Sequence, residues 1–200
     1  PQLGWALVNL ARTIALQGRA GEAEPLFRQA LEVRRKLLGN DHREIASSLG
    51  FLGGVVERLG RHEEAEATLR ECIAVWRKQI DADMDLARAL SNFASFQRNR
   101  GRLVDAEALL REALELRTKI LGGEHPLVAD SLVSLAGVLD AGGKSTEAEA
   151  ISRRALALRR KLLGDKDPAV AESLSTLGAV LRRARRADEA VKAYTEALEL

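Results

Sequence analysis

The sequence GRAGEAE occupies residues 18–24, and variants of it return four times along the 200-residue chain. They are GRHEEAE at residues 60–66, GRLVDAE at 101–107, GKSTEAE at 143–149 and RRADEAV at 185–191. The sixth position of every copy is an alanine, the marker alanine, and these are Ala23, Ala65, Ala106, Ala148 and Ala190. Successive marker alanines are 42, 41, 42 and 42 residues apart, so the register predicts an array of structural repeats.

Each copy of this heptapeptide follows a segment whose apolar residues recur every three or four positions. That spacing places them on one stripe of an α-helix, called the first helix of the repeat. The stripe residues are Leu7, Leu10, Ala11 and Ile14; Leu49, Leu52, Gly53 and Val56; Leu90, Phe93 and Ala94; Leu132, Leu135, Ala136 and Leu139; and Leu174, Leu177, Gly178 and Leu181. The sequence therefore predicts an amphipathic helix ahead of every heptapeptide.

A second helix is predicted to follow a turn at the start of the heptapeptide. Glycine at that turn adopts positive φ without a steric penalty, as a helix C-terminus often requires. The predicted breaks within pairs lie near Gly18, Gly60, Gly101, Gly143 and Arg185, and those between pairs near Asn40, Asp81, Gly123 and Asp165.

The second helix carries another small residue seven positions after the marker alanine. These residues are Ala30, Cys72, Ala113, Ala155 and Ala197. Small residues on one face allow two helices to approach closely. Cys72 is therefore interpreted as a buried packing residue and not as a nucleophile.

This arrangement of small residues around a glycine turn resembles the tetratricopeptide repeat, which is normally about 34 residues long. Here a longer second helix and linker extend the period. The linker Leu-Gly-x-x-His-Pro at residues 121–126 resembles the kinesin light chain class of these repeats. The resemblance covers essentially the whole chain and implies an all-α fold, a right-handed superhelical solenoid of five antiparallel helix pairs. We expect one solenoid segment over residues 1–200, with repeats at about 1–42, 43–83, 84–125, 126–167 and 168–200.

Three features depart from the family pattern. The second linker, residues 78–87, lacks the Leu-Gly pair and is one residue short. The fifth turn has Arg185 in place of glycine, and the chain stops at Leu200 without a polar capping helix, which a solenoid end normally needs for solubility. We therefore expect the chain to be a segment of a longer protein.

The composition of the chain argues against nucleic-acid binding and against a membrane partner. Acidic and basic residues are interspersed and give a formal net charge of +2, unlike the basic stripe of a nucleic-acid-binding protein. No apolar run approaches the roughly 20 residues that span a bilayer, so no membrane partner is expected. One cysteine cannot form an internal disulfide, and cytoplasmic localisation is expected.

Two stretches resemble ligand-binding motifs but lack residues that those motifs require. The aspartates at residues 81, 83 and 85 resemble the start of an EF-hand loop, but Leu86 and Asn92 stand where glycine and glutamate are required. Residues 143–145 resemble the end of a phosphate-binding loop, but Val138 replaces its first glycine and a helical pattern precedes it.

No catalytic or metal constellation is apparent either. His42, His62 and His125 are too dispersed to share a metal, and no nucleophile lies beside a base. The linker histidines are expected to cap helix ends. We expect no enzyme activity, no cofactor and no metal site.

The resemblance implies that the first helices line a concave peptide-binding groove. In kinesin light chains, asparagines in these helices face the cargo peptide; Asn9 and Asn92 match that position, whereas Phe51, Ser134 and Thr176 do not. An asparagine there both donates to and accepts from a peptide backbone. The candidate groove residues are Asn9, Arg12, Arg88, Ser91, Asn92, Ser95, Arg98, Asn99, Ser134 and Thr176.

Charge suggests the kind of ligand. In the first three repeats four arginines, Arg12, Arg58, Arg88 and Arg98, lie on or beside the projected groove against Glu57 alone. The last two repeats add three acids, Asp130, Asp140 and Glu172, partly offset by Arg182 and Arg183. We therefore expect the ligand to place acidic residues near Arg88 and Arg98. Arg117 is expected on a solvent face.

The function expected from these observations is a scaffold that binds a peptide or a partner domain in the groove. Two alternatives stay open: a structural spacer that self-associates through uncapped repeats, and a sensor arm of a larger signalling protein.

Overall fold

The computed structural model describes residues 2–200, which form ten α-helices and no strand. The helices are α1 Gln2–Leu16, α2 Ala20–Leu38, α3 Arg43–Arg58, α4 His62–Arg77, α5 Asp83–Asn99, α6 Leu103–Leu121, α7 Pro126–Ala141, α8 Ser145–Leu163, α9 Pro168–Arg183 and α10 Ala187–Leu198. Each predicted break lies between two of these helices, so the all-α prediction is confirmed, together with the pairing of α1 with α2, α3 with α4, α7 with α8 and α9 with α10.

The chain divides into two compact units. Unit 1 ends at Phe96 and unit 2 is Gln97–Leu200, so the boundary lies within α5. In unit 1, α1 pairs with α2, α3 pairs with α4, and α2 also packs against α3. In unit 2, α6 packs against α7, α7 pairs with α8, α8 packs against α9, and α9 pairs with α10.

The turn within a pair closes by the backbone geometry that its glycine predicts. Gly18 has φ of 79°, its N–H donates to the Ala15 carbonyl at 3.1 Å, and the Arg19 N–H donates to the Ile14 carbonyl at 3.2 Å. These two bonds form a Schellman motif, which satisfies carbonyls that the helix end leaves free.

One linker and one turn lack the glycine of the other repeats, but they keep the same backbone conformation. Among residues 2–200, the non-glycine residues with positive φ are Asp81, at 59°, and Arg185, at 61°. Asp81 stands where other linkers have Gly39, Gly122 or Gly164, all of which have positive φ. The fold therefore imposes left-handed backbone even where the side chain disfavours it.

Side chains of the linkers cap the first helices that follow. The Nδ1 atoms of His42 and His125 accept hydrogen bonds from the Glu44 and Leu127 N–H groups at 3.2 and 3.1 Å. Asp167 caps α9 in the same way. The predicted capping role of the two linker histidines is confirmed.

The small residues lie between helices as predicted. The marker alanines are at most 3% exposed, and Cys72 is 2% exposed, with its thiol donating to the Ala46 carbonyl at 3.1 Å. Burial raises the pKa of the Cys72 thiol to about 12, so the side chain stays protonated and unreactive at neutral pH.

One stripe prediction is wrong at its first copy. Leu10 is 52% exposed, whereas Leu52, its equivalent in α3, is 3% exposed. In α9 the equivalent residue, Leu177, lies in a buried cluster with Leu156 of the preceding pair, whereas the described residues place no helix pair ahead of α1. Among the same residues, no helix combines the length and apolar character required to cross a bilayer.

Three arginines join a second helix to the next first helix. Arg34, Arg117 and Arg159 each donate through Nη1 to a serine hydroxyl fourteen residues later, on Ser48, Ser131 or Ser173. We call these three residues the arginine anchors. At the equivalent places between α4 and α5, Trp76 and Leu90 are both buried, so an apolar pair replaces the polar one.

The anchors correct the expectation that Arg117 lies on a solvent face. Its guanidinium is half-buried, and burial lowers its pKa while the Asp130 carboxylate opposes that shift. The sequence signal was an arginine four residues after the small residue of the second helix with a serine fourteen residues further on.

Candidate functional site

The ten candidate residues all lie on first helices, and none is fully buried. Unit 1 contains six of them and unit 2 contains four. In unit 1 they are Asn9, Arg12, Arg88, Ser91, Asn92 and Ser95; in unit 2 they are Arg98, Asn99, Ser134 and Thr176.

Unit 1 contains a small pocket between α3 and α5, here called the Asn92 pocket. Its volume is about 40 Å³, room for a few water molecules or one small side chain. Arg88 and Asn92 line it from α5, Gly50 and Phe51 from α3, and Cys72 from α4. A β-carbon on Gly50 would lie 3.4 Å from the Cys72 Sγ atom, so glycine leaves room at the pocket floor.

The polar groups of this pocket differ in their availability. The Asn92 side chain is exposed and makes no hydrogen bond within the described residues, so its amide is free to donate and accept. Arg88 instead pairs with Asp85 at 2.8 Å. Sequence reasoning did not anticipate this pair, although a spacing of three residues on a helix brings such side chains together.

A second pocket of about 170 Å³ lies between α1 and α3 in unit 1 and is called the Phe51 pocket. Phe27 and Phe51 stack in it with ring centroids 5.9 Å apart. The Arg12 guanidinium carbon lies 4.8 Å from the Phe51 ring centroid, within cation–π distance. Phe51, which breaks the asparagine pattern, therefore supplies an apolar surface to both pockets.

The candidate hydroxyl groups are mostly engaged by their own helices. Ser91, Ser134 and Thr176 donate to the carbonyl four residues earlier, at 2.9, 3.0 and 3.0 Å. Each hydroxyl oxygen can still accept a hydrogen bond from a ligand, but its proton is already donated to the backbone carbonyl.

The acids of unit 2 are not the free charges expected from the sequence. Arg159 pairs with Asp130 at 2.8 Å and with Glu172 at 2.9 Å, and Asp140 is buried beside Arg183 at 3.1 Å. The acids that the sequence places in the last two repeats are thus paired with arginines, and one of these, the buried Arg159, is shared by Asp130 and Glu172. Arg98 is exposed on unit 2's portion of α5.

The next feature is the arrangement of side chains that could bind a metal ion within the described residues. Residues 2–200 contain no cluster of three or more histidine, cysteine, aspartate or glutamate side chains arranged to hold a metal ion. The geometry offers a free amide, arginine guanidinium groups and two pockets, of which the Phe51 pocket is lined mainly by apolar residues.

Helix hairpins repeated at a period near 42 residues, with polar first-helix faces, define a helical-repeat protein of the kind that commonly acts as a protein-interaction scaffold. The tetratricopeptide repeat family model matches residues 2–78, 85–161 and 142–200, and the chain belongs to this family.

Solved structures share this fold over nearly the whole chain. A kinesin light chain-type protein from Podosopora anserina with nearly identical TPR-like repeats matches with a TM-score of 0.87 at 22% identity, covering 97% of this chain and 92% of that chain. BtubC (BKLC) from P. vanneervenii matches with a TM-score of 0.83 at 24% identity, covering 96% and 77%. At these identities the likeness establishes the fold alone.

A curated relative extends much further than the matched region. The clustered mitochondria protein homolog of Candida albicans is 23% identical over 127 residues, which are 63% of this chain and 9% of that protein. The chain thus corresponds to a small part of this relative.

Proposed function

We propose that the chain is a protein-interaction scaffold that binds an extended peptide or partner segment along its first helices, with the Asn92 pocket as the principal contact. The observation that carries this proposal is the free Asn92 amide beside a pocket that Gly50 keeps open. The equivalent asparagine on α1, Asn9, is half-buried and also makes no side-chain hydrogen bond within the described residues.

The physical basis is recognition of a backbone by an amide. A peptide passing over α5 has one N–H and one C=O group per residue, and the Asn92 side chain complements both at once. The Asn92 pocket then accommodates a small side chain. This arrangement favours binding over catalysis, because it offers no activated nucleophile.

Charge complementarity favours acidic residues in the ligand. Arg12 has no carboxylate partner within the described residues, and Arg88 shares its carboxylate, Asp85, with Arg43 at 3.4 Å. A ligand carboxylate near Arg88 must compete with Asp85, so its contribution is small and screened by salt. Arg98, on unit 2, is a further candidate partner for an acidic residue. Because exposed ion pairs are weak and screened by salt, the affinity should be modest and should fall as the salt concentration rises.

Peptides selected from a display library against the purified chain test this proposal. Asn92→Ala and Arg88→Glu should each weaken binding of the selected peptides without loss of helicity, and Arg98→Glu should weaken those with acidic residues. Arg154→Glu, an exposed charge reversal on α8, is the matched control and should leave the affinity unchanged. Peptides indifferent to Asn92→Ala and Arg88→Glu would place the site elsewhere.

Self-association is a second candidate. Exposed apolar side chains favour it, among them Trp5 on α1 at 66% and Leu198 on α10 at 87% exposure. A solution mass that rises with concentration, and returns to that of the 21.8 kDa monomer in a Leu198→Glu variant, would support it. A constant monomeric mass would exclude it.

A further inference from the structure

The turn between α9 and α10 is the most basic of the five turns within helix pairs. Its residues 182–186 are RRARR, whereas the equivalent residues of the other turns are ALQGR at 15–19, ERLGR at 57–61, RNRGR at 98–102 and DAGGK at 140–144. We call Arg182, Arg183, Arg185 and Arg186 the basic turn. All four lie in unit 2, and none of them is buried.

Arg185 occupies a backbone position that disfavours it. Its φ is 61°, and the equivalent residues of the other turns are all glycines with φ between 73° and 79°. Residues other than glycine in left-handed backbone cluster at functional sites. The Arg185 side chain is exposed and makes no hydrogen bond or ion pair within the described residues, so no contact inside the protein offsets the strain. Its guanidinium is therefore available to an external ligand.

Two arginines of the basic turn already have carboxylate partners. Arg183 pairs with Asp140 at 3.1 Å, and Arg186 pairs with Glu149 and with Glu189, each at 2.6 Å. These pairs hold the turn against the preceding helix pair and against α10. They leave little of the charge on Arg186 for a ligand.

The other two arginines are free and close together along the backbone. Arg182, like Arg185, is exposed and has no side-chain partner within the described residues. The Arg185 N–H donates to the Arg182 carbonyl at 3.1 Å, so both side chains leave the same tight turn. Each guanidinium presents a planar fork of donors that fits a carboxylate. Asp188, in the first turn of α10, is an exposed acid with no ion pair within the described residues and would compete with a ligand.

The side chains around these arginines limit the class of ligand. Residues 182–189, RRARRADE, include no aromatic and no large apolar side chain. Binding of single-stranded nucleic acid relies on aromatic side chains that stack on bases, and interfacial membrane binding relies on apolar side chains that insert. Neither is present at this turn. Two guanidinium groups on one turn instead complement two carboxylates that lie close together on a partner chain.

We propose that the basic turn binds a run of acidic residues in a partner protein, with Arg182 and Arg185 each pairing with one carboxylate. This is a second interaction surface, in unit 2, whereas the Asn92 pocket lies in unit 1. It gives the strained arginine at position 185 a role that glycine could not fill.

A synthetic acidic run tests this surface directly. Acetylated and amidated hexaglutamate is titrated into the ¹⁵N-labelled chain and followed by amide NMR shifts, with hexaglutamine as the uncharged control. Hexaglutamate should shift the amides of residues 182–189, and hexaglutamine should not. Because exposed ion pairs are weak and screened, the affinity for hexaglutamate should fall as the salt concentration rises.

Charge variants identify the groups that bind. Arg182→Gln and Arg185→Gln should each weaken hexaglutamate binding by about two- to fivefold, as expected for the loss of one exposed ion pair. Asp188→Asn removes a competing carboxylate and should strengthen binding. Arg154→Gln, which removes a free and exposed arginine on α8, is the matched control and should leave the affinity unchanged.

Arg185→Gly separates ligand binding from folding. Glycine relieves the left-handed backbone, so this variant should have a higher thermal midpoint, yet it should bind hexaglutamate as weakly as Arg185→Gln. A substitution that only damaged the fold would lower both the midpoint and the affinity.

Three results would overturn the inference. They are an unchanged affinity in both Arg182→Gln and Arg185→Gln, shifts confined to α3 and α5, and Arg185-dependent binding of single-stranded RNA or of anionic lipid vesicles without binding of hexaglutamate. None of them bears on the Asn92 pocket, because the dependence of selected peptides on Asn92→Ala tests that proposal separately.

Discussion

Arg159 is a single side chain that joins three segments of unit 2. It is 4% exposed and donates to the Ala169 carbonyl at 2.6 Å, to Ser173 at 3.0 Å, and to the carboxylates of Asp130 and Glu172. Burying a guanidinium is unfavourable, and hydrogen bonds from both Nη atoms offset that penalty in part, since the buried Nε atom has no partner within the described residues.

We expect Arg159→Met to lower the free energy of unfolding by about 2 kcal/mol. The loss should stay below the roughly 3–5 kcal/mol typical of a broken buried pair, because Asp130 and Glu172 are 51% and 62% exposed and can rehydrate. Urea denaturation measures the change. Arg154→Met on the same helix is the control, at about 0.5 kcal/mol or less, and equal losses would mean that the anchor contributes nothing specific.

Ala106 shows why the marker position is small. It is fully buried, so a larger side chain must displace its neighbours. Ala106→Leu should therefore destabilise the protein by about 1–3 kcal/mol. Ala108→Leu places the same change on the exposed face of α6 and should stay within about 0.5 kcal/mol. A neutral Ala106→Leu would show that this helix interface has free space.

At the scale of elements, the turns fix where one helix ends and the next begins. Arg185 has φ of 61°, and its N–H donates to the Arg182 carbonyl while the next N–H donates to the Leu181 carbonyl. The Schellman motif is thus complete without glycine, and the strained backbone is the cost.

Arg185→Gly should stabilise the protein by about 0.5–1 kcal/mol, because glycine relieves the left-handed strain and loses only part of that gain to its more flexible unfolded state. Thermal denaturation measures the gain. Arg182→Gly, at an exposed position in the last turn of α9, should instead be destabilising, by up to about 1 kcal/mol. A destabilising Arg185→Gly would mean that the arginine side chain contributes more than the strain it imposes.

Second helices of adjacent pairs are joined by ion pairs that span 37 residues, among them Lys144 to Glu107 at 2.7 Å. The hydrogen bond from Lys144 lowers the pKa of Glu107, burial opposes it, and Arg111 lowers it further. The pKa is lower in the folded state than in the unfolded state, so Glu107 stabilises the fold above the unfolded glutamate pKa of about 4.3. That stabilisation is lost as pH falls through the lower folded pKa.

Stability should therefore decrease as pH falls below about 4.3, and Glu107→Gln should reduce that decrease. Urea midpoints at pH 7 and pH 3 measure it. Glu63→Gln removes an exposed carboxylate with no ion pair within the described residues, and should leave the difference unchanged. Identical pH dependence in wild type and Glu107→Gln would contradict the assignment.

Across the whole molecule, the sequence predicted every helix break because the repeat register places small residues, glycines and caps at fixed intervals. The arginine anchors were missed because a charged residue in a helix normally indicates a solvent face. The recurring spacing of fourteen residues from arginine to serine was the signal for them, and the structure shows that Arg117 is half-buried and Arg159 buried. The candidate face was predicted at Asn9, Arg12 and Asn92. The Phe51 pocket was missed because its walls come from two different repeats. The repeat pattern shows which residues of α1 and α3 are equivalent, but it does not show which of them line a common pocket.

In the proposed function, ligands bind the first helices rather than the second. The direct test is an amide NMR footprint of a display-selected peptide on the ¹⁵N-labelled chain. We expect shifts on α3 and α5 around Gly50 and Asn92, and we expect Asn92→Ala to abolish them. A footprint confined to the second helices, such as α2 and α4, with affinity unchanged by Asn92→Ala, would contradict it.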